Sequence, residues 1–563
     1  MPPNDPREKK DRIHADQWLD IADFSPGAYS HDNTVSSSAD RLLAAPVGSH
    51  DPAGTYSCLC LPNGGIGALA GIGQSWDWPD SHGGSTVTTF VTGLLVHDEV
   101  GKIEAIIMGE WDDGSNHFFL ADSYDLTDVT HTNITSTTNP TGGKNEFPFG
   151  SPYPQMTRAA HTAPTTTVGT PVCVFPVASF AYPNATAGQI FMYPAPATPT
   201  SYTPLKLITD GTPQSISGMI LVHQFRVVVL SNTPFSWPLG GANAWAVNDV
   251  INFTDPANGD VYPAQTTTGQ MLIAASEEPF GYGCGGSISA GELFLVKRRG
   301  GGVIITGDLF APTSITYLPG VQPTGGGYGN ADSGIQGLFY CSIDNGVWVW
   351  NGSNTSQKIS QQLDDSFFMT PDAAIYLSWY VRCIGDKVYF SNNWLYDTRT
   401  GSWWKYAPDA TQGGTSYFWI QNVDGTGFYV SPLTFQNSNI NFLHRFDFNT
   451  PAQHYQWRSS PLRLSGQDRV ADIREIVVRA SCSGSHGAVT LRVLDKGATV
   501  WGPYTQTGTV DAGPDIIRFN AAALGVSEPQ VQINVDNSSS DDMPVVHSIS
   551  VKYRERAHQG VTN

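Results

Sequence analysis

GLFYCSIDNGVWVWNGSNTSQKIS (residues 337–360) and YVRCIGDKVYFSNNWLYDTRTGSWWKY (residues 380–406) repeat one pattern in close succession. In each copy an apolar run meets a polar turn that contains glycine. A second run then alternates aromatic and β-branched residues: Val347, Trp348, Val349 and Trp350 in the first copy, Val388, Tyr389 and Phe390 in the second. Another turn follows, at Asn351-Gly352-Ser353 and at Asp397-Thr398-Arg399-Thr400-Gly401. Short strands separated by turn signals every 8–12 residues or so predict antiparallel meanders. A meander buries little surface alone and needs a neighbour on each face. A unit that recurs at blade length therefore predicts stacked four-stranded blades, a β-propeller. Such a fold is a scaffold, and function has to be argued from its sites.

The pattern extends outward from this repeat. Met219–Leu230 (MILVHQFRVVVL) predicts a strand pair or one long strand. Gly291–Val296 and Gly302–Thr306 flank Lys297-Arg298-Arg299-Gly300-Gly301, which is hairpin chemistry. Further strands are expected at Tyr417–Asn422, Gly427–Val430 and His444–Phe448, and upstream at Thr55–Leu61, Ser85–His97 and Lys102–Met108. Residues 111–215 are rich in Thr, Pro and Asn, with brief apolar runs at Pro171–Phe180 and Ile190–Tyr193. They read either as degenerate blades with long loops or as an inserted elaboration. One short stretch, Ser360–Phe368, suits a turn or two of helix; no longer amphipathic helix is legible.

At Tyr455 the character changes. Ile473–Arg479, Val489–Leu494, Asp515–Phe519, Val531–Val535 and Ile549–Tyr553 alternate apolar and polar residues, as half-buried strands do. The expected fold class is all-β: a β-propeller-like body over residues 18–454 and a C-terminal β-sandwich, jelly-roll-like, over residues 455–563. Residues 1–17 are expected to be a flexible arm. The sandwich is expected to fold independently.

Composition agrees with that class. The 563 residues include 58 Gly and 38 Pro, and only 14% are charged. The formal charge of −20 is unevenly placed. Residues 455–563 hold 11 basic and 11 acidic side chains, so the other residues, with 19 basic and 39 acidic, carry all of it. Such a body repels polyanions. Solubility explains the charge simply; a passage that must not retain DNA is the sharper explanation. Seven scattered cysteines, among them Cys58-Leu59-Cys60 with both thiols on one strand face, suggest buried thiols made in a reducing cytosol. The charged N-terminus predicts no secretion signal, and no run is long enough to suggest a membrane span.

The candidate sites are weak. Ser342-Ile343-Asp344-Asn345-Gly346 resembles the start of the sialidase Asp-box, but Val349 stands where the aromatic residue is expected. A tight turn explains Asp344 and Gly346 equally well. The carboxylate pairs Asp112-Asp113, Glu277-Glu278, Asp364-Asp365 and Asp541-Asp542 are sequence neighbours, which point to opposite faces of a strand. Asn422-Val423-Asp424-Gly425-Thr426 lacks the later glutamate of a calcium loop. His223 belongs to a strand and pairs with no second ligand at metal spacing. Trp76 and Trp78, in Trp76-Asp77-Trp78-Pro79, are the candidate glycan contacts. Trp394, Trp403 and Trp404 serve more simply as wedges between blades. Catalytic, metal and cofactor sites are expected to be absent, and the chain is expected not to be an enzyme.

Four segments carry a resemblance. Asp20–Gly27, Met219–Val229, Gly291–Arg299 with Val303–Gly307, and Asp344–Gly352 resemble stretches of the propeller-type tail proteins of tailed bacteriophages, the tail nozzle and minor tail proteins. The resemblance implies a structural virion protein, made in the host cytoplasm and carried in the tail. Its implied partners are other tail proteins and further copies of itself, with DNA met only in transit and no membrane insertion. The rival readings are a propeller lectin or adhesin that binds a host-surface glycan and, more weakly, a glycan-cleaving propeller enzyme.

Overall fold

Alternating side chains and glycine turns yield forty strands and no helix among the described residues of the computed structural model. The structure describes residues 16–25, 57–77, 331–342, 346–351, 381–390, 394–405, 454–459, 469–495, 505–526, 529–536 and 543–557. It also describes the further strands named below and a few residues beside them. At Ser360 the expected helix is a single turn, in which the Leu363 amide donates to the Ser360 carbonyl at 3.0 Å; residues 364–368 lie outside the described residues.

Seven four-stranded antiparallel sheets follow one another along the described chain. The first is Phe90–Glu99, Lys102–Asp112, His117–Asp125 and Thr130–Asn133. The second is Gln155–Arg158, Pro171–Val177, Gln189–Pro194 and Thr203–Leu205. Residues 111–215 thus supply blade strands, with the apolar runs at 171 and 190 as the two middle ones. The third is Ile220–His223, Arg226–Ser231, Val250–Thr254 and Thr268–Leu272. Of the two readings of Met219–Leu230, the strand pair is the one observed.

The fourth blade is Gly285–Ser287, Leu293–Lys297, Gly301–Asp308 and Ala311–Leu318. The two sequence repeats are the fifth and sixth. They comprise Ala331–Gly334, Gly337–Ser342, Gly346–Trp350 and Gln357–Lys358, then Val381–Ile384, Lys387–Phe390, Trp394–Asp397 and Ser402–Lys405. Their first hairpins correspond: Gly334 pairs with Gly337, and Ile384 with Lys387, each across two residues. Gly337 has φ +129°, and a Cβ there would lie 2.1 Å from the Trp350 carbonyl oxygen, so the turn demands glycine. The seventh blade takes Trp419–Val423, Thr426–Val430 and Asn441–Pro451 from the late chain and Ala70–Asp77 from the early chain.

That mixed blade brings the late chain back to the first blade. The first strands of blades two to seven touch in succession, and the first strand of blade seven touches that of blade one. First strands therefore line the centre and fourth strands the rim, with Ala70–Asp77 on the rim of the seventh blade. Between the fifth and sixth blades, Phe339, Val349, Leu363, Val388, Phe390 and Trp403 form a buried core.

The C-terminal module is an eight-stranded sheet folded on itself. Its strands are β1 (Gln17–Ile21), β2 (Cys58–Cys60), β3 (Ile66–Ala68) and β4 (His454–Arg458), then β5 (Arg469–Asp495), β6 (Thr505–Val526), β7 (Pro529–Asp536) and β8 (Val545–Ala557). The order is β4-β7-β5-β8-β3-β2, with β1 added to β8 and β6 added to β5. Strand β5 shifts register between Cys482 and His486. Residues before the shift pair with β8 and those after it with β7, while β6 follows along both parts. The bent β5–β6 hairpin thus feeds two layers that enclose Ile473, Val478, Val489, Phe519, Ile533 and Val551, a β-sandwich. Ile473–Arg479 and Val489–Leu494, expected as two strands, are parts of β5.

Three of these eight strands come from residues 17–68, of which the sequence alone assigns Gln17 to the flexible arm and the rest to the propeller body. Their short runs, WLDI, CLC and IGA, carry no signal of a partner several hundred residues away. Ile21, Phe24, Cys58 and Ile66 belong to the sandwich core, and the Phe24 ring meets Trp457 edge-on at 5.2 Å. Among the described residues no helix is long and apolar enough to cross a membrane.

Candidate functional site

The joint between propeller and sandwich is the best-defined polar cluster. In blade six the turn Asp397–Gly401 closes on itself: the Gly401 amide donates to the Asp397 carbonyl at 2.9 Å, with Gly401 at φ +69°. This turn leaves the Asp397 carboxylate fully buried and facing its own Arg399. Arg399 donates Nε to Asp397 Oδ1 at 3.2 Å and Nη2 to Oδ2 at 2.8 Å. Lys387 Nζ lies 3.3 Å from Asp397 Oδ2 and 2.8 Å from Asp386 Oδ1, and Arg399 Nε lies 2.7 Å from Asp386 Oδ2. Two cations thus balance two carboxylates.

Arg399 also donates Nη2 to the Cys60 carbonyl of β2, at 3.2 Å. Burial pushes the Asp397 pKa upward, but the Arg399 bond and the nearby Lys387 charge outweigh it and hold the group below its ordinary value. Burial first, then Asp23 and Asp397, raises the Cys60 thiol, so at neutral pH it is a protonated thiol and a poor nucleophile. The Gln336 side chain of blade five donates to the Thr398 carbonyl at 2.6 Å. The cluster therefore ties two blades and the sandwich together.

Beside it, Gln357, Lys358, Ile359, Gln361, Tyr396 and Gly401 line an open cleft of about 410 Å³. Trp403 fixes one wall by donating Nε1 to the Ile359 carbonyl at 2.9 Å. The cleft offers an ammonium, amides and a phenol, a set that suits a polar ligand. On the central strands, Asp332 Oδ2 accepts the Cys383 amide at 2.8 Å and joins blades five and six. Cys383 is buried, and burial ahead of Asp332 raises its thiol pKa strongly.

The structure redistributes the residues singled out in the sequence. Trp76 lies on the rim strand Ala70–Asp77, with Leu443 as its register partner, and not in a loop. Trp78 lies outside the described residues, as do Asp113, Glu277, Glu278, Asp364, Asp365, Asp541 and Asp542. Asp112 ends a blade-one strand opposite His117. Ser342 and Gly346 are register partners across a hairpin whose tip, with Asp344, is outside the described residues. Val423 and Thr426 are register partners, and Asp424-Gly425 between them lie outside the described residues. Lys297 pairs with Gly301, and His223 with Arg226, at hairpin ends. Trp394, Trp403 and Trp404 are buried, and Trp394 meets Trp403 edge-on at 6.3 Å, which is wedge packing. Cys58, Cys60, Cys383 and Cys482 are buried and none is in a disulfide.

No family model matches the chain, and no curated protein matches it. Solved structures do. An exo-β-1,3-galactanase from Phanerochaete chrysosporium is 11% identical, with 86% of this chain and 100% of that one covered and a TM-score of 0.29. A glycoside hydrolase family 43 arabinoxylan arabinofuranohydrolase from Bacillus subtilis is 10% identical, with 84% and 96% covered and a TM-score of 0.25. The acylaminoacyl peptidase of Pyrococcus horikoshii is 10% identical, with 67% and 58% covered and a TM-score of 0.31. These matches correct one expectation. The sequence alone predicts that the chain is not an enzyme, whereas the galactanase and the arabinofuranohydrolase are enzymes that act on glycans, so that exclusion is withdrawn. At such identity the likeness concerns fold alone and assigns no activity to this chain.

Proposed function

We propose that the chain is a structural protein of a bacteriophage tail, a nozzle, hub or tip component that assembles with other tail proteins and with further copies of itself. The observation that carries this reading is the placement of the four resembling segments. Asp20–Gly27 ends β1 and packs Phe24 on the sandwich core at the module joint. The described residues of the other three belong to strands of blades three, four and five. A propeller fused to a sandwich by its own N-terminal segment is a stiff body suited to bearing load between neighbours.

The acidic charge fits the same role. A body carrying −20 beside a DNA path would offer few cations to hold a polyanion in transit. The test is to purify particles made from the genome that encodes the chain, identify their proteins by mass spectrometry, and label them with antibody against the purified chain. The reading expects the chain in stoichiometric amounts and label on the tail. Particles that lack the chain would overturn it.

A further inference from the structure

The layer β1-β8-β5-β6 turns Leu19, Ile21, Ile549, Val551, Ile476, Val478, Ile517 and Phe519 inward. The alternate residues form its outer face. Register places Trp18 beside Lys552, Lys552 beside Glu475, and Glu475 beside Asn520. One pleat along, Asp20, Ser550, Val477 and Arg518 form a second row, whose middle residues Ser550 and Val477 are buried. Each row crosses four strands, a span of about 14 Å at ordinary strand spacing.

Three features make this face a receptor for a charged, ring-bearing ligand. Trp18 is 48% exposed, the largest apolar side chain in the open among the described residues. Lys552 Nζ stands 5.6 Å from its ring centroid, and Asp16 bridges Lys552 at 3.2 Å and Arg554 at 3.0 Å, so the aromatic platform is braced rather than loose. Arg518, 65% exposed, is held at 2.8 Å by Glu475, and exposed Arg479 stands beside Ile516 in register. Asp472 is the register partner of Arg554 and has Arg474 3.5 Å away, so Lys552, Arg554, Arg518, Arg479 and Arg474 exceed Asp16, Asp20, Glu475 and Asp472 by one, in a chain whose net charge is −20. The face is therefore a locally basic patch with an aromatic platform at one end.

We propose that this face binds a linear acidic oligosaccharide, with one sugar ring stacked on Trp18 and carboxylates met by Arg554 and Arg518. Sugar C–H groups pack on an aromatic face, and guanidinium forks take carboxylates in two-point hydrogen bonds. Among the described propeller tryptophans Trp350, Trp394, Trp403 and Trp404 are buried and Trp348 is half-buried, so Trp18 is the most open stacking surface. The inference concerns the chain's own binding chemistry and holds whether or not the chain is carried in a virion.

The experiment is calorimetric titration of the full chain with three probes: a galacturonic acid hexamer, cellohexaose and a short single-stranded DNA. The hexamer is expected to bind, and raising the salt is expected to weaken it. Trp18→Ala should reduce its affinity about tenfold or more, which corresponds to about 1.4 kcal/mol. Trp18→Phe should retain most of the affinity, and Arg518→Gln should lose about threefold, all with an unchanged thermal transition. Failure of the hexamer to bind, tighter binding of cellohexaose or of the DNA, or full affinity in Trp18→Ala would each overturn the proposal.

Discussion

The guanidinium of Arg399 and the backbone carbonyl of Cys60 are 3.2 Å apart, across 339 residues of sequence. One side chain thus reaches from a blade-six turn to a sandwich strand while neutralising the buried carboxylate of its own turn. Removing it should do two kinds of damage at once. Arg399→Ala is expected to cost about 2 kcal/mol, below the usual figure for a broken buried pair because the guanidinium is partly exposed and Lys387 remains. Arg399→Lys should recover less than half of that, since an ammonium cannot present the same fork. Urea denaturation of the three proteins measures both, and an alanine variant as stable as the parent would remove the cluster from the joint.

Acid should weaken the same place. The Asp397 pKa is held below its ordinary value in the folded chain, so its contribution is present above the unfolded value of about 3.9 and is lost as the pH falls through the folded one. At the other end, burial raises the Tyr389 and Tyr455 hydroxyls. Their contribution is complete below the unfolded value near 10 and falls as the pH rises beyond it. Stability measured against pH should form a plateau bounded by these limbs. Asp397→Asn should flatten the acid limb, and an unchanged slope would assign it to other carboxylates.

Trp403→Ala should cost about 3–5 kcal/mol. Its ring is fully buried, with Phe390 and Tyr396 each 5.1 Å away, and it fixes Ile359 through its indole N–H. Trp18→Ala should change stability by less than about 1 kcal/mol, as an exposed site does. The contrast separates a wedge tryptophan from an exposed one. Near-equal losses would show that exposure is not what distinguishes them.

A fragment of residues 455–563 should fail to give the cooperative transition that its alternation alone suggests. It lacks β1, β2 and β3, and so leaves the inward residues of β8 without Ile21, Cys58 and Ile66. Adding a peptide of residues 16–69 should restore β-type circular dichroism and a melting transition. A fragment that melts cooperatively without the peptide would show the three early strands to be dispensable.

What the sequence reveals here depends on how local the information is. The blades at Gly337–Lys358 and Val381–Lys405 are legible because turn glycines and alternation sit within one hairpin of each other. The β5–β8 alternation is legible for the same reason. By contrast, Ala70–Asp77 (AGIGQSWD) joins blade seven through a partner near residue 441, and nothing in its eight residues names that partner. The Arg399–Cys60 contact is hidden likewise: Asp397-Thr398-Arg399-Thr400-Gly401 reads as a turn, which it is, but the donor left over points to another module. Trp18 reads in the sequence only as the start of a short strand, because a single exposed tryptophan there resembles any other apolar strand residue until its register with Lys552 is known.

The mixed seventh blade also sets a clock. Ala70–Asp77 leaves the ribosome early, and its partner Asn441–Pro451 follows more than 360 residues later. At ordinary rates of synthesis that is a wait of roughly 20–70 s with a weakly charged strand unpaired. Until then neither the seventh blade nor the joint behind it can lock, so the vulnerable species is the nearly finished nascent chain. Chaperones that shield strand edges during translation should therefore raise the soluble yield more than any treatment applied to the completed protein.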